Sequence, residues 1–371
     1  MGVFGPMSVV ITSLGMVSSV GRDVVTACAS LRTGLSRPCE LAHFHVLEDE
    51  DGEAVPVIGY PIRGFTEGFY LLGLWVRLGH ACLTDLVRYG ALPDGSHLSF
   101  WGRTGLVLVT PQIDEDRFPD AELLAPEQIL HGYGQRLLAL EGLPLPSSQM
   151  ILVSLGHAGA AKAVQGAMQL IDGGRLDRLI VLAVDSYVDG PTLEWLSEHQ
   201  RFKAPESPAA LIPGEAGACF LLESFAEARQ RGARIEAMVM GAAVSQEPND
   251  FFTEQVNAGV ELSNVMGQLL PQGSVFTGDL LADLNGEPWR AYELGCARVR
   301  LDGRLSPAAS LVLPAGSLGE TGAASGAVAV CAAVRSFVRG YSGNGEALVV
   351  SSSEHGHVGA IRLASAGAVA A

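Results

Sequence analysis

Ser154-Leu155-Gly156-His157-Ala158-Gly159-Ala160-Ala161-Lys162-Ala163-Val164 follows directly on the apolar run Met150-Ile151-Leu152-Val153. An apolar run giving way to residues rich in Gly and Ala predicts a buried strand that turns sharply into a helix reaching about Asp172. At such an elbow the first helical N–H groups have no partner inside the helix, so the turn can hold an oxyanion or an anionic group. A nucleophile would be sought there. The residue at the elbow is His157, with no cysteine nearby and only Ser154 offering a hydroxyl.

The surrounding chain alternates strand and helix patterns. Ser8 to Gly15 reads as a strand, and Asp23 caps a helix running to about Thr33. His43 to Glu67 is turn-rich and acidic, with Glu48-Asp49-Glu50-Asp51 read as a solvated loop. A helix is expected from about Gly68 to Tyr89, a strand over Thr104–Thr110 and a helix over Glu127–Glu141. Arg178 to Asp185 is a continuous apolar run that implies cover on both faces. Gly214 to Glu223 closes a first half as a strand. In the second half, Arg234 to Gly241 and Ser274 to Gly278 read as strands, with helices over Asp250–Leu270 and Trp289–Val299. A second small-residue helix opens at Gly319-Glu320-Thr321-Gly322-Ala323-Ala324-Ser325-Gly326-Ala327, and strands over Ala347–Ser351 and Ala360–Leu363 finish the chain. Two similar α/β halves, each with a helix too poor in polar residues for a solvated face, predict helices pressed between sheets.

Composition narrows the function. In 371 residues, 24 Lys and Arg stand against 40 Asp and Glu, a formal net charge of −16. No basic cluster stands out, which argues against nucleic acid or an anionic membrane as partner. No apolar run approaches the roughly 20 residues of a membrane-spanning helix. Met1 to Pro6 lacks the pattern of a secretory signal, so a cytoplasmic protein is expected. The six cysteines are scattered without a C-x-x-C pair, as expected of reduced, buried thiols. A metal site built from His157, Glu320, His355 and His357 finds no support in their spacing. No cofactor is called for.

Four stretches together resemble the β-ketoacyl synthases of the thiolase superfamily. Val9 to Gly21 is similar to that family's opening V-V-I-T-G-x-G-x-V-S-x-x-G, and Gly214-Glu215-Ala216-Gly217-Ala218 to its G-E-G-A-G. Asp279 to Leu294, with Gly286-Glu287-Pro288, is similar to the H-G-T-x-T-x-x-G-D-P segment. Gly319 to Ala327 is similar to G-H-x-x-G-A-A-G-A. The resemblance implies a five-layered α-β-α-β-α fold of two duplicated halves, divided here as residues 1–225 and 226–371, and a homodimer. It also implies a Cys-His-His site that accepts an acyl group from a thioester and decarboxylates a malonyl unit.

Carried over position by position, the nucleophile falls on His157, the first histidine on Asp279 and the second on Glu320. The lysine that usually precedes the second histidine is matched by Ala315. The terminal G-F-G-G loop, a source of oxyanion donors, becomes Ser353-Glu354-His355-Gly356. Glu354 and His355, together with Ser154, are therefore the candidate substrate-binding residues. Imidazole has no thiolate to acylate, and an acyl-imidazole hydrolyses readily. Two carboxylates would repel the malonyl carboxylate, each contact at about 4 Å costing on the order of 4 kcal/mol at an effective dielectric of about 20.

Three readings of the site follow. It is a relic whose His157, Asp279 and Glu320 satisfy one another as a buried polar cluster. Alternatively, His157 is a general base in an acyltransferase or thioesterase acting on acyl-CoA or acyl-carrier thioesters. In the third, the register is off and a cysteine, Cys219 or Cys331, is the nucleophile. The first is preferred: an accessory or binding protein with a protein partner, beside a polyketide synthase or a secretion effector. Glu215 is read as a structural carboxylate. Trp289, Arg290, Tyr292 and Glu293 are read as one helical face at an interface or the surface. The segment Phe202 to Pro208 replaces a longer gating segment, which counts against a normal acyl tunnel. The acidic balance counts against docking of an equally acidic carrier protein.

Overall fold

The computed structural model describes residues 9–47, 54–203, 208–253 and 255–367. The acidic run Glu48-Asp49-Glu50-Asp51, residues 204–207 and the chain before Val9 lie outside the described residues.

Among the described residues twelve strands are formed: β1 Val9–Ser18, β2 Cys39–Leu47, β3 Ala54–Gly59, β4 Thr104–Thr110, β5 Met150–Ser154, β6 Arg178–Ser186, β7 Glu215–Ser224, β8 Ala237–Gln246, β9 Asp279–Ala282, β10 Leu311–Val312, β11 Glu346–Ser352 and β12 His357–Ser365. β2 and β3 pair with each other, and the other ten run in the order β10-β9-β11-β12-β8-β1-β7-β6-β4-β5. The order is a duplication. In each half the first strand pairs antiparallel with the last, and the last antiparallel with the fourth. The fourth then pairs parallel with the second, and the second parallel with the third. A short antiparallel junction, Val10 to Met238 and Ile11 to Ala237, joins the two five-stranded halves.

The strands that read as continuous apolar runs are covered on both faces. All seven residues of β4 and all nine of β6 are buried. The central helix Gly159–Asp172 packs on β4 and β6 of its own half and on β8 and β12 of the other, and its counterpart Ser325–Arg339 packs on β11, β12, β1 and β7. Outside lie helix Leu72–Tyr89, against β1, β7 and β6, and helix Val260–Leu269, against β8, β11 and β12, with Pro288–Arg300 beside it. Five layers result, with one apolar core in the middle and one under each outer layer. The small residues of the central helices are what close approach demands: a Cβ on Gly326 would come 2.9 Å from the Cβ of Ala160. Among the described residues no helix is long and apolar enough to cross a membrane.

Several expectations are corrected. The turn-rich region holds the β2–β3 hairpin, tied down by buried Leu41 and Val57. The helix expected over Asp250–Leu270 forms only as Val260–Leu269, because Gly259 at φ 61° sets its start. The strand expected at Ser274–Gly278 forms later, as β9. Val275 is exposed, whereas Leu280, Leu281 and Ala282 are buried and pair with β11. That displacement bears directly on the site.

Candidate functional site

Each central helix is entered through the same tight turn. Leu155 and Thr321 are extended in φ, at −123° and −119°, and Gly156 and Gly322 follow at φ 54° and 48°. A positive φ at both positions is why glycine stands there. His157 and Ala323 are thus equivalent residues of the two halves, each leading through one short helical turn into a buried helix.

His157 is 1% exposed, and its surroundings are charged. Its Nε2 lies 2.8 Å from Glu320 Oε1, and its Nδ1 lies 3.4 Å from Glu354 Oε2, an ion-pair distance without hydrogen-bond geometry. Arg290 Nη2 is 3.2 Å from the same Nε2 and donates to Glu354 Oε1 at 3.1 Å. A guanidinium cannot accept, so Nε2 either donates to Glu320 or accepts from Arg290. The shorter carboxylate contact decides for donation. Burial and Arg290 push the imidazole pKa down, but Glu320 and Glu354 outweigh both and hold it at about 10. In turn Glu320, despite burial, is drawn down to about 2 by His157 and Arg290. Glu354, against the same burial, is held well below the ordinary carboxylate range by His157 and Arg290. The imidazolium is the stable form.

The network extends outward. Arg201 grips Glu287 through two bonds of 2.7 and 2.9 Å and reaches Glu354 at 3.0 Å. Asn285 bridges Glu287, at 2.8 Å, and Glu320, at 2.5 Å. Tyr187 donates to Glu354 at 3.2 Å. Arg117, 2.6 Å from Asp185, forms a second buried pair alongside. The guanidinium of Arg201 sits 4.8 Å from the rings of both Trp195 and Phe251, and Phe251 packs on Phe252 and Trp289. These aromatics keep water from the ion pairs, which raises the worth of each contact.

What remains open is small. A void of about 10 Å³, bounded by Asp114, Arg117, Gly156, His157, Tyr187 and Glu354, and another of about 10 Å³ beside Asp283 and Glu320, are each the size of a single water. The turn N–H groups that could hold an anion are taken at the second helix: Gly322 N donates to Glu320 and Ala323 N to Asp185, at 2.6 and 2.9 Å.

The candidates from the sequence are thus divided. His157, Glu320 and Glu354 come together. Asp279 does not: it is the first residue of β9, level with Ala347 of β11, and lines a separate cavity. At about 3.3 Å per residue the chain runs on roughly 13 Å, four residues, before the cluster is reached. The acid that arrives there is Asp283, 3.5 Å from Arg290 and accepting from Ser352 N at 2.9 Å. Burial pushes its carboxyl upward, Arg290 opposing. Ser154 ends β5 and shares a 2.9 Å bond with Thr110. His355 lines the first void but is turned to Asp114 at 3.2 Å, with its ring 5.0 Å from Phe252.

Arg201 and Arg290 were not among the sequence candidates. Arg290 and Glu293, read as an exposed face, are each 1% exposed. Their spacing with Leu294 and Ala297 gives the signal, since 290, 293, 294 and 297 form one helical face and its apolar members are buried. Arg201 follows a helix end with no comparable pattern. Cys219 and Cys331 are fully buried and bond to backbone carbonyls of Cys82 and Cys219, and burial pushes both thiols well above their usual range. Glu215 accepts from Ile62 N, Thr66 and Ser186 and is pushed by burial to about 7.

Neither a family model nor a curated protein matches the sequence. Solved structures do match. A type II PKS acyl-carrier protein in complex with its ketosynthase, AntDE:AntF, superposes with TM-score 0.75 at 15% identity, over 97% of this chain and 100% of that one. The chain has the thiolase-like ketosynthase fold. The ishigamide ketosynthase/chain length factor matches at TM-score 0.72 and 18% identity, over 96% of this chain and 99% of that one. A β-ketoacyl synthase from Burkholderia phymatum matches at 0.70 and 14%, over 96% and 99%. Within this ketosynthase fold, His157 occupies the turn ahead of the first central helix, and Glu320 the segment before the second.

Proposed function

We propose that this chain is a ketosynthase-fold protein without condensing activity, which acts in the cytoplasm by pairing with a partner protein. The observation that carries the reading is His157 itself, closed off by Glu320, Glu354 and Arg290 beside a void of about 10 Å³. Condensation needs an acylatable nucleophile, a cavity for the acyl chain and donors facing a developing oxyanion. In their place stand a protonated imidazole, voids of about 10 Å³ and, at the second turn, N–H groups of Gly322 and Ala323 bonded to carboxylates. The alternative, His157 as the general base of an acyltransferase or thioesterase, has a physical obstacle. With a pKa of about 10 the imidazole keeps its proton at neutral pH.

Pairing is supported by β5. It is the last strand of the sheet, apolar along Met150-Ile151-Leu152-Val153, and its outer edge bonds to no strand of this chain among the described residues. Uncovered apolar edges are aggregation-prone, and a second copy or a related ketosynthase-fold chain would cover this one. The formal charge of −16 disfavours an acidic carrier protein as that partner. Light scattering on the purified chain tests the pairing. A dimer that Ile151→Lys converts to folded monomer, while His157→Ala leaves it intact, is the expected result. A monomer at micromolar concentration, with no association on adding a ketosynthase, contradicts it.

A further inference from the structure

We propose that a cavity remote from His157 binds an amphipathic organic anion, an acidic head on an apolar body. The cavity holds about 780 Å³, within the range of small-molecule sites. It lies between helix Val24–Arg32, the central helix Ser325–Arg339 and the sheet edge formed by β9 and β10. Asp279 borders it from the first residue of β9, while Asp283, past that strand's other end, belongs to the His157 cluster. The strand separates the two sites.

Its lining has two parts. Cys28, Leu281, Val312 and Ala333 make an apolar wall, and burial keeps the Cys28 thiol neutral by pushing it up to about 12. Arg32, Arg335 and Arg339 supply three guanidinium groups against the single carboxylate of Asp279. None of the three arginines forms an ion pair among the described residues. Arg32 stacks 5.3 Å from the Tyr341 ring, and Arg335 bonds to the Tyr89 hydroxyl at 2.7 Å, which in turn donates to Glu236 at 2.8 Å, so that Glu236 reaches Arg335 only through the phenol. The Arg335 Nε is buried and has no partner. A buried donor left unmatched is costly, and guanidinium groups match carboxylate and phosphate oxygens. In a chain carrying 40 acidic and 24 basic residues, three arginines around one cavity without a direct ion pair among the described residues are not explained by composition. Leu311, Leu313 and Tyr341 stand 39 to 49% exposed at the same cavity, apolar surface that a hydrocarbon body would cover.

The test is calorimetric titration of the whole chain at low ionic strength with decanoate, decyl phosphate, decanol and inorganic phosphate. One molecule of decanoate or decyl phosphate per chain is expected to bind, the tighter of the two identifying the head group. Decanol and inorganic phosphate, each lacking one half of the ligand, should bind at least about tenfold more weakly. The exposed pair Arg32→Gln/Arg339→Gln should weaken binding of the anion about tenfold or more, and Ala29→Trp, which fills the cavity from an exposed helix position, should abolish it. Unfolding midpoints of the variants confirm that they remain folded. Absence of saturable binding by both anions, or binding indifferent to the arginine pair, overturns the proposal.

Discussion

His157 Nε2 and Glu320 Oε1 lie 2.8 Å apart in a space closed to solvent, each residue at most 2% exposed. Such a pair owes its place to its complete surroundings, because removing one partner leaves the other charged in a medium that cannot solvate it. Glu320→Ala is therefore expected to destabilise the chain by about 3–5 kcal/mol, measured by urea unfolding. An effect within about 0.5 kcal/mol, typical of a surface site, would contradict the account.

The same pair sets a pH dependence. The folded-state pKa of His157, about 10, is above its ordinary 6.5, so the folded chain holds a proton that the unfolded chain releases between those values. Its stabilisation is full below about pH 6.5 and is lost as pH rises through 10. Glu320, lowered from 4.5 to about 2, contributes fully above 4.5 and loses its contribution as pH falls through 2. Stability from the pair is thus greatest between about 4.5 and 6.5. Unfolding free energy measured from pH 6.5 to 10 should fall faster in the natural chain than in His157→Gln, by at most about 1.4 kcal/mol per pH unit. Parallel curves would show that the imidazole is not held protonated.

The two elbow glycines should respond differently to alanine. A Cβ on Gly322, at φ 48°, would lie 1.9 Å from Asp185 Oδ2 and 2.5 Å from the Tyr187 ring. On Gly156, at φ 54°, the nearest atom would be Ser353 Oγ at 3.3 Å. Gly322→Ala is expected to cost about 3 kcal/mol or more, from backbone strain and overpacking together, and Gly156→Ala about 1 kcal/mol from strain alone. Equal costs would argue against the tight packing of the second turn on Asp185.

Thiol chemistry separates a buried cysteine from a nucleophile. Cys82, Cys219 and Cys331 are fully buried, and Cys39 and Cys296 are partly exposed. An aromatic disulfide reagent should label Cys39 and Cys296 in the native chain, and should reach the buried Cys28, Cys82, Cys219 and Cys331 only after unfolding. Rapid labelling of Cys219 or Cys331 would reinstate a cysteine as the reactive group.

The sequence made the layered fold legible because its long signals are apolar and local. Arg178 to Asp185 could only be a doubly covered strand, and the small-residue runs after His157 and Glu320 could only be buried helices. The site was legible where it is anchored to those runs, at His157, Glu320 and Glu354. It did not bring in Asp279, which the motif spacing counted back from Gly286-Glu287-Pro288 selects, because the strand read as ending at Gly278 forms instead over Asp279–Ala282 against β11 and leaves Asp279 at its far end. It was not legible at Arg201, whose partners Glu287 and Glu354 lie 86 and 153 residues away in sequence, or at Arg290, where the helical face shared with Leu294 and Ala297 marks burial but not the pairing with Glu354.

The most direct test of the central claim is intact-mass spectrometry of the purified chain after incubation with a panel of acyl-CoA thioesters, with labelled malonyl-CoA followed for carbon dioxide release. With His157 enclosed as an imidazolium, the mass should stay unchanged and carbon dioxide should not rise above that of a heat-denatured control. A stoichiometric acyl adduct, or decarboxylation abolished by His157→Ala, would contradict the account.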